Sequence, residues 1–298
     1  MLNTIKKWLI AIRPFGFATT LVSTTLGASL AFYHGSFNPG LYFMTMAPLL
    51  LIHTGTNLIN DYYDYKFGLD GEQSLSSSGL NRVNGQIKLN QIYTVAIACF
   101  LASIPFGAYL TLLRGPIIFI LGTLGALAGY FYTASPISYK YYGLGGPSIF
   151  IFMGVMMVWG MFYIQTGINS WYPVLVGLPV SFLITGMQHS NELRDYENDM
   201  KNGIKTAPVI MGFERARYYY YFLIISAYIS LVLLITYNLL PLWTTLAFIT
   251  IPLAYLPVKK VATATSQNDL KGIDYQMARL NIQFGIFLSG AIIISKYM

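Results

Sequence analysis

The chain has 298 residues, of which 55% are hydrophobic and only 10% carry a charge. A soluble domain has about 25% charged residues, so this composition excludes an ordinary soluble protein and indicates an integral membrane protein. The single cysteine, Cys99, excludes a disulfide framework and a cysteine-based metal site. We expect the net charge of +7 to reflect basic cytoplasmic loops, with no nucleic-acid partner.

Nine apolar runs have roughly the 17–25 residues that are needed to cross a bilayer. They lie at about 14–33, 41–63, 91–112, 115–133, 147–165, 171–190, 217–239, 241–258 and 276–295. The sequence therefore predicts an all-α, polytopic membrane protein. We expect a bundle of nine transmembrane helices that forms one domain over residues 1–298.

The charged residues are distributed unevenly between the two sides of this bundle. With the N-terminus inside, all Lys and Arg except Arg114 and Lys296 lie in the loops or helix ends of one side. This basic bias predicts that this side is cytoplasmic. Every Asp and Glu lies on the same side, although acidic residues contribute little to orientation. We interpret the acidic bias as functional, and it predicts a polar cavity that faces the cytoplasm.

The first acidic stretch is NLINDYYDYKFGLD, from Asn57 to Asp70, at the end of the second apolar run. Four of its polar residues are three or four positions apart, so on a helix they share one face: Asn57, Asn60, Asp61 and Asp64. Because unpaired carboxylates at a membrane helix end are costly, we expect a positive group between them.

The second acidic stretch is NELRDYENDMKNGIKT, from Asn191 to Thr206, after the sixth run. Asn191, Asp195 and Asp199 are four residues apart and again share a face. Four spans separate the two stretches, so their helices run in the same direction and end on the same side of the membrane. This arrangement is typical of two similarly oriented halves.

Carboxylates of this kind are typical ligands of Mg²⁺, which prefers oxygen ligands and often binds one or two carboxylates together with substrate phosphates. We predict that Asp61, Asp64, Asp195 and Asp199 hold one or two such ions. Asn57, Asn60 and Asn191 add neutral oxygens or orient waters, and Asn57 is the further candidate metal ligand. Cations lie nearby in sequence, namely Lys66, Arg82, Arg194, Lys201 and Lys205. Carboxylates, a divalent metal and cations together predict a diphosphate site that stabilises charge on a leaving group.

The stretches Asn60–Asp64 (NDYYD) and Asp195–Asp199 (DYEND) resemble the two aspartate-rich motifs of the UbiA-type intramembrane prenyltransferases. The wide gap between Asp64 and Asp70 is more similar to the menaquinone branch, the 1,4-dihydroxy-2-naphthoate prenyltransferases. Other pieces resemble the same branch: Arg13-Pro14, YTASP at 132–136, GLG at 143–145, YIQTG at 163–167, HSN at 189–191 and ARLN at 278–281. Gly146 is a departure, because the branch usually has a glutamate there, and it leaves the acceptor open.

The resemblance implies Mg²⁺-dependent transfer of a polyprenyl group from its diphosphate to an aromatic ring carbon, through an allylic carbocation. The acceptor implied is 1,4-dihydroxy-2-naphthoate, in menaquinone biosynthesis, and the donor's isoprenoid tail would enter from the lipid bilayer. By the same resemblance, we expect phosphate or acceptor contacts from Arg13, Lys66, Arg82, Lys140 and Lys205. The rings of Tyr132 and Tyr139 are candidates for stabilising the cation. Arg194 either binds substrate or pairs with Asp195 or Glu197.

Two kinds of alternative stay open. The same chemistry can act on another acceptor, such as 4-hydroxybenzoate, homogentisate, haem or a glycerol-phosphate lipid. A secondary transporter also carries acidic residues and repeated halves. The transporter is disfavoured because the predicted outer side has no acidic residue. We expect a multi-pass protein of a bacterial or archaeal cell membrane, with the N-terminus and the active site cytoplasmic.

Overall fold

The computed structural model describes residues 2–68 and 87–298, with side chains from Lys6 onward. Every regular element in these ranges is helical, which confirms the all-α prediction. The helices are α1 (Leu2–Ile12), α2 (Phe17–Tyr33), α3 (Pro39–Lys66), α4 (Leu89–Arg114), α5 (Pro116–Phe131), α6 (Gly145–Thr166), α7 (Tyr172–Val176), α8 (Leu178–Arg194), α9 (Tyr196–Lys201), α10 (Ala207–Met211), α11 (Phe213–Thr236), α12 (Leu242–Thr263) and α13 (Ile273–Ile294).

Each of the nine predicted apolar runs lies on helix within the described residues. Six helical stretches there are long and apolar enough to cross a membrane: Lys6–Tyr33, Leu89–Arg114, Gly145–Thr166, Phe213–Thr236, Leu242–Thr263 and Gln267–Ile294. Of the other three, α5 and α8 have only 16 and 17 residues, and α3 carries the polar residues of the first acidic stretch. The protein is a multi-pass membrane protein, and the count of nine spans stays a prediction.

The turns between helices follow from local sequence. Arg13 adopts a left-handed backbone with φ 52°, and the 3₁₀ turn Pro14–Gly16 follows it, so the chain is redirected before α2. The side chain of Asn38 accepts a hydrogen bond from the backbone N–H of Leu41 at 3.1 Å and thereby caps α3. Gly115, with φ 89°, joins α4 to α5 in a tight turn that a residue with a side chain would strain.

The buried apolar residues form two main clusters that divide the helices into two groups. The larger cluster joins α2, α6, α8, α11, α12 and α13, and the smaller one joins α1, α3 and α4. The backbones of α2 and α6 approach closely, because a Cβ placed on Gly27 would lie 2.4 Å from the carbonyl oxygen of Val158. Small residues at such contacts are typical of membrane helix packing. The functional cavity lies between the two groups.

Candidate active site

A cavity of about 680 Å³ lies between α3, α4 and α5 on one side and α2, α6 and α8 on the other. Its longer part is apolar and is lined by residues such as Leu49, Phe100 and Leu121. Its opposite end is lined by Asn60, Asp64, Lys140, Asp195 and Asp199, and we call these five residues the polar end. Both predicted acidic stretches therefore reach one cavity, as expected from helices that run in the same direction.

Asp64, in the first stretch, contacts three polar side chains. Its side chain accepts hydrogen bonds from Asn60 Nδ2 at 2.9 Å and from the hydroxyl of Tyr141 at 2.5 Å. The ammonium group of Lys140 lies 3.1 Å from Asp64 Oδ2 and donates to Asn60 Oδ1 at 2.9 Å. Asn60 and Asp64 thus share one face of α3, as their spacing predicts. The ammonium group of Lys140 supplies a positive charge beside this face.

Asp61 lies one turn from Asp64 but faces a different partner. Its side chain is fully buried and pairs with the guanidinium of Arg13, which lines the cavity. The left-handed backbone at Arg13 brings this side chain back to α3. The amide of Asn57 donates to the carbonyl oxygen of Ile12 at 3.3 Å, so Asn57 also helps to hold this turn.

Asp195, in the second stretch, is held by a buried arginine. Arg194 donates from Nε to Asp195 Oδ1 at 2.9 Å and from Nη2 to Oδ2 at 2.8 Å, a bidentate pair. The other guanidinium nitrogen lies 3.4 Å from Asp274 Oδ2 and 3.4 Å from Asn191 Oδ1. Arg194 and Asp274 are only 3% and 2% exposed. Of the two pairings predicted for Arg194, the structure has the one with Asp195.

Asp199 lies on α9, outside the long helices, and accepts a hydrogen bond from the hydroxyl of Thr206 at 3.1 Å. Burial, with a further contribution from the charge of Asp195, raises the pKa of Asp199 to about 7, and the charge of Lys140 opposes the shift. Lys140 thus contacts the first acidic stretch and acts electrostatically on the second.

Tyr132 and Tyr139 both line the cavity next to its polar end. Their ring centroids are 5.5 Å apart in an edge-to-face arrangement, and the hydroxyl of Tyr139 donates to the carbonyl oxygen of Ala128 at 2.7 Å. The ammonium group of Lys140 lies 5.9 Å from the centroid of the Tyr132 ring. The two rings therefore lie next to the lysine and the carboxylates of the polar end.

The oxygen-rich donor set suits a hard divalent cation better than a soft one. Within residues 2–68 and 87–298, however, no three His, Cys, Asp or Glu side chains lie close enough to enclose a metal ion on their own. Carboxylates of the two stretches instead face the cavity separately, at Asp64 and at Asp195 and Asp199. This arrangement fits Mg²⁺ that completes its coordination with substrate oxygens rather than a closed protein site.

The structure brings together most of the predicted site residues, but not all. Lys66 and Lys205 are exposed and are not among the side chains that line the cavity; Lys66 lies 5.8 Å and 5.7 Å from the rings of Tyr62 and Tyr63. Arg82 and Asp70 lie outside the described residues. The roles predicted for these residues stay predictions.

Three residues at the site were not predicted: Tyr141, Glu192 and Asp274. Tyr141 follows Lys140 and Glu192 follows Asn191, so both are next to predicted residues. Asp274 lies far from the acidic stretches in sequence and reaches Arg194 only because α13 packs against α8. In the sequence, the only indication of a role for Asp274 is its position as a carboxylate just before the last apolar run.

Known proteins resemble this chain over most of its length. The UbiA prenyltransferase family matches residues 21–278. A 1,4-dihydroxy-2-naphthoate octaprenyltransferase of Bacillus subtilis is 29% identical over 96% of this chain and 91% of that protein. Human UbiA prenyltransferase domain-containing protein 1 is 27% identical over 97% of this chain and 84% of that protein.

Among solved structures, a UbiA homologue from Archaeoglobus fulgidus bound to DMAPP and Mg²⁺ superposes with a TM-score of 0.60 at 19% identity, over 97% of this chain and 99% of that one. This similarity confirms the fold, and the metal in that relative is the predicted cofactor, Mg²⁺. With the family match, it also decides between the enzyme and transporter alternatives. The chain belongs to the UbiA prenyltransferase family and is a prenyltransferase.

Proposed function

We propose that the protein transfers a polyprenyl group from a polyprenyl diphosphate to 1,4-dihydroxy-2-naphthoate, in menaquinone biosynthesis, with Mg²⁺ as cofactor. The observation that carries this proposal is the single cavity that joins the polar end to a long apolar part. A prenyl diphosphate has the same two parts, an anionic head and a long hydrocarbon tail. The similarity to the Bacillus subtilis 1,4-dihydroxy-2-naphthoate octaprenyltransferase supports the choice of acceptor.

The diphosphate binds at the polar end. Carboxylates at this end would hold Mg²⁺ together with the diphosphate, and the ion would supply positive charge that lowers the cost of the charge growing on the leaving group. Asp64, Asp195 and Asp199 are the cavity-lining carboxylates that would hold it, and Asp61 contributes from behind Arg13. Lys140, Arg13 and Arg194, which now pair with these aspartates, neutralise the remaining phosphate charge.

The isoprenoid tail lies in the apolar part of the cavity, between α4, α5 and α6. Residues such as Ile104, Leu121 and Met157 line this part and exclude water from the carbon that loses the diphosphate. The faces of Tyr132 and Tyr139 stabilise the allylic cation until the electron-rich ring of the acceptor attacks it. The attacked ring then loses its carboxylate as CO₂, which restores its aromaticity. Capture by water is the competing reaction, and an apolar cavity suppresses it.

We propose further that residues 1–298 form one membrane domain that crosses a bacterial or archaeal cell membrane nine times. The N-terminus and the polar end face the cytoplasm in this arrangement. The support is the distribution of charge, since only Arg114 and Lys296 carry a charge on the opposite side. Scanning with impermeant thiol reagents, after single cysteines are placed in each loop of a Cys99→Ser variant, tests the topology.

One observation, the glycine at position 146, favours an acceptor other than 1,4-dihydroxy-2-naphthoate. The position is buried, a Cβ there would lie 3.6 Å from Thr185 Cγ2, and position 146 itself carries no carboxylate where the menaquinone branch usually has a glutamate. The same chemistry on 4-hydroxybenzoate, homogentisate, haem or a glycerol-phosphate lipid is therefore the alternative.

The test is product analysis with purified protein in nanodiscs. Each candidate acceptor is incubated with Mg²⁺ and geranyl, farnesyl or longer prenyl diphosphates, and products are identified by mass spectrometry. We expect a prenylated naphthalene product that disappears when EDTA is added. A product formed only from another acceptor overturns the choice of acceptor, and no product from any acceptor overturns the proposed function. Glu214→Gln, at an exposed carboxylate, serves as the control variant.

A further inference from the structure

Glu192 is a buried carboxylate that the proposed chemistry has not used so far. It is 4% exposed, lies on α8 one turn before Asp195, and lines the cavity. Its Oε1 accepts a long hydrogen bond of 3.4 Å from Gln188 Nε2. Its Oε2 has no hydrogen-bond partner within the described residues. A buried carboxylate oxygen without a partner is costly, which points to a ligand that supplies the missing hydrogen.

The neighbouring histidine does not satisfy this carboxylate. His189 Nε2 lies 2.8 Å from the carbonyl oxygen of Ala216, and a carbonyl only accepts, so Nε2 carries the hydrogen. Nδ1 of the same ring lies 3.7 Å from Glu192 Oε2, beyond hydrogen-bond distance. His189 therefore provides no hydrogen bond to the Glu192 carboxylate.

A second orphaned polar atom lies nearby. The hydroxyl of Tyr132 is buried and has no hydrogen-bond partner among the residues that the structure describes. A Cβ built on Gly145 would lie 2.9 Å from Glu192 Oε1 and 3.2 Å from Tyr132 Oη. Glu192 Oε1 and Tyr132 Oη therefore lie on the same side of Gly145, where a side chain would crowd them, and they place a hydrogen-bond acceptor and a donor close together in the cavity wall.

We infer that Glu192 and Tyr132 form the subsite that binds a ring hydroxyl of the aromatic acceptor, an inference that rests on the proposed function. The acceptor's hydroxyl donates to the Glu192 carboxylate and accepts from the Tyr132 hydroxyl. The negative charge of Glu192 disfavours a carboxylate of the acceptor in this place, so the acceptor enters with its hydroxyl towards α8. A hydroxyl that donates to a carboxylate also makes its ring more electron-rich, which favours attack on an allylic cation.

This subsite also accounts for the departure at Gly146. Gly145 and Gly146 begin α6, and the carboxylate beside this turn comes from α8 instead of from the turn itself. Position 192 is therefore a specificity-determining residue. Compounds with a free ring hydroxyl are bound, and their methyl ethers are rejected because they cannot donate to Glu192.

The experiment measures acceptor binding without turnover. Purified protein in nanodiscs is loaded with Mg²⁺ and farnesyl thiolodiphosphate, and binding of 1,4-dihydroxy-2-naphthoate and of its 1,4-dimethoxy analogue is followed by calorimetry. We expect the dihydroxy compound to bind about 10- to 100-fold more tightly, the range for one charge-assisted hydrogen bond. Glu192→Gln should lose most of this preference, and Glu214→Gln should keep it.

Gly145→Ala gives a second test that keeps the Glu192 carboxyl group. Its methyl carbon would lie 2.9 Å from Glu192 Oε1 and 3.2 Å from Tyr132 Oη, so both oxygens must shift; acceptor binding should weaken while binding of the thiolodiphosphate stays unchanged. Equal binding of both compounds to the unsubstituted protein, or an undiminished preference in Glu192→Gln, overturns the inference. The inference is also overturned if Glu192→Gln requires more Mg²⁺ but binds the acceptor as before, because Glu192 would then help to bind the metal and not the acceptor.

Prenyl transfer measured on the same preparations separates the inference about the acceptor subsite from the proposed function. Transfer by Glu192→Gln with an unchanged KM for the acceptor contradicts the subsite alone. If the unsubstituted protein transfers to no acceptor and binds neither compound, the proposed function fails together with the subsite.

Discussion

Asp274 offers a test of how Arg194 controls the availability of Asp195 to a metal ion. Among the described residues, Asp274 is connected to the site through its ion pair with Arg194. Its carboxylate lies 3.4 Å from one guanidinium nitrogen, and Arg194 holds Asp195 through two further hydrogen bonds of 2.8 and 2.9 Å. Asp274 and Asp195 therefore share one positive charge. Asp274→Asn removes one of the two negative charges that pair with the guanidinium. Arg194 then interacts more strongly with Asp195 and competes better with Mg²⁺ for that carboxylate.

The expected magnitude follows from the burial of this cluster. Substituting a residue that orients a metal ligand typically lowers metal affinity about 10- to 100-fold. Because Arg194 and Asp274 are only 3% and 2% exposed, solvent screens their interaction little, and we expect the upper part of this range. Breaking this buried ion pair should also lower the free energy of unfolding, by at most about 3–5 kcal/mol because Arg194 keeps its pair with Asp195.

The assay is prenyl transfer as a function of Mg²⁺ concentration. We expect Asp274→Asn to raise the Mg²⁺ concentration for half-maximal rate and to recover nearly the full rate at saturating Mg²⁺. Glu214→Gln, at a carboxylate that is 69% exposed, should leave the Mg²⁺ curve unchanged. An unaltered Mg²⁺ curve for Asp274→Asn in folded protein would refute the reasoning, and so would a lower rate at every Mg²⁺ concentration.

Two further predictions concern the two parts of the cavity. Lys140→Met should lower kcat about 10²- to 10³-fold at saturating Mg²⁺, because a fixed positive group next to the leaving diphosphate is lost. Lys259→Met, at an exposed lysine outside the cavity lining, is the matched control, and equal rates for the two variants would contradict this role. Gly122 lines the apolar part of the cavity, and a Cβ built on it has no other atom within 4 Å. Gly122→Phe should therefore narrow the cavity. We expect it to reduce prenyl transfer from long donors more than transfer from geranyl diphosphate. Product mass spectrometry with mixed donors checks this, and an unchanged chain-length distribution would count against the tail binding there.

The sequence predicts the helices and the acidic faces well because both depend on local spacing. Apolar runs of membrane length define most helix positions, and polar residues three or four apart share a face wherever the helix forms. Asn60 and Asp64 are hydrogen-bonded to each other for this reason. Asp195 and Asp199 both line the cavity reached by Asp64, although α8 ends at Arg194 and Asp199 lies on α9, so the second stretch does not form the one continuous helix face that its spacing predicted.

The partners of these acids depend on tertiary packing, which local spacing does not encode. Asp61 pairs with Arg13 only because the chain adopts a left-handed backbone at Arg13, and Asp274 meets Arg194 only because α13 packs against α8. Glu192 lies inside the second acidic stretch, but its spacing does not match the aspartate pattern. Its importance becomes visible only where its carboxylate and the Tyr132 hydroxyl are both left without partners among the described residues.

The central claim is that the two acidic stretches form one diphosphate site, and a double-mutant cycle on donor binding tests it most directly. Mg²⁺-dependent binding of farnesyl thiolodiphosphate is measured for the unsubstituted protein, for Asp64→Asn, for Asp195→Asn and for the double variant. We predict that each single variant loses about 2–5 kcal/mol of binding free energy. The double variant should lose less than the sum, because both carboxylates act on the same ligand. Binding that stays intact in either single variant, or strictly additive losses, would contradict a shared site.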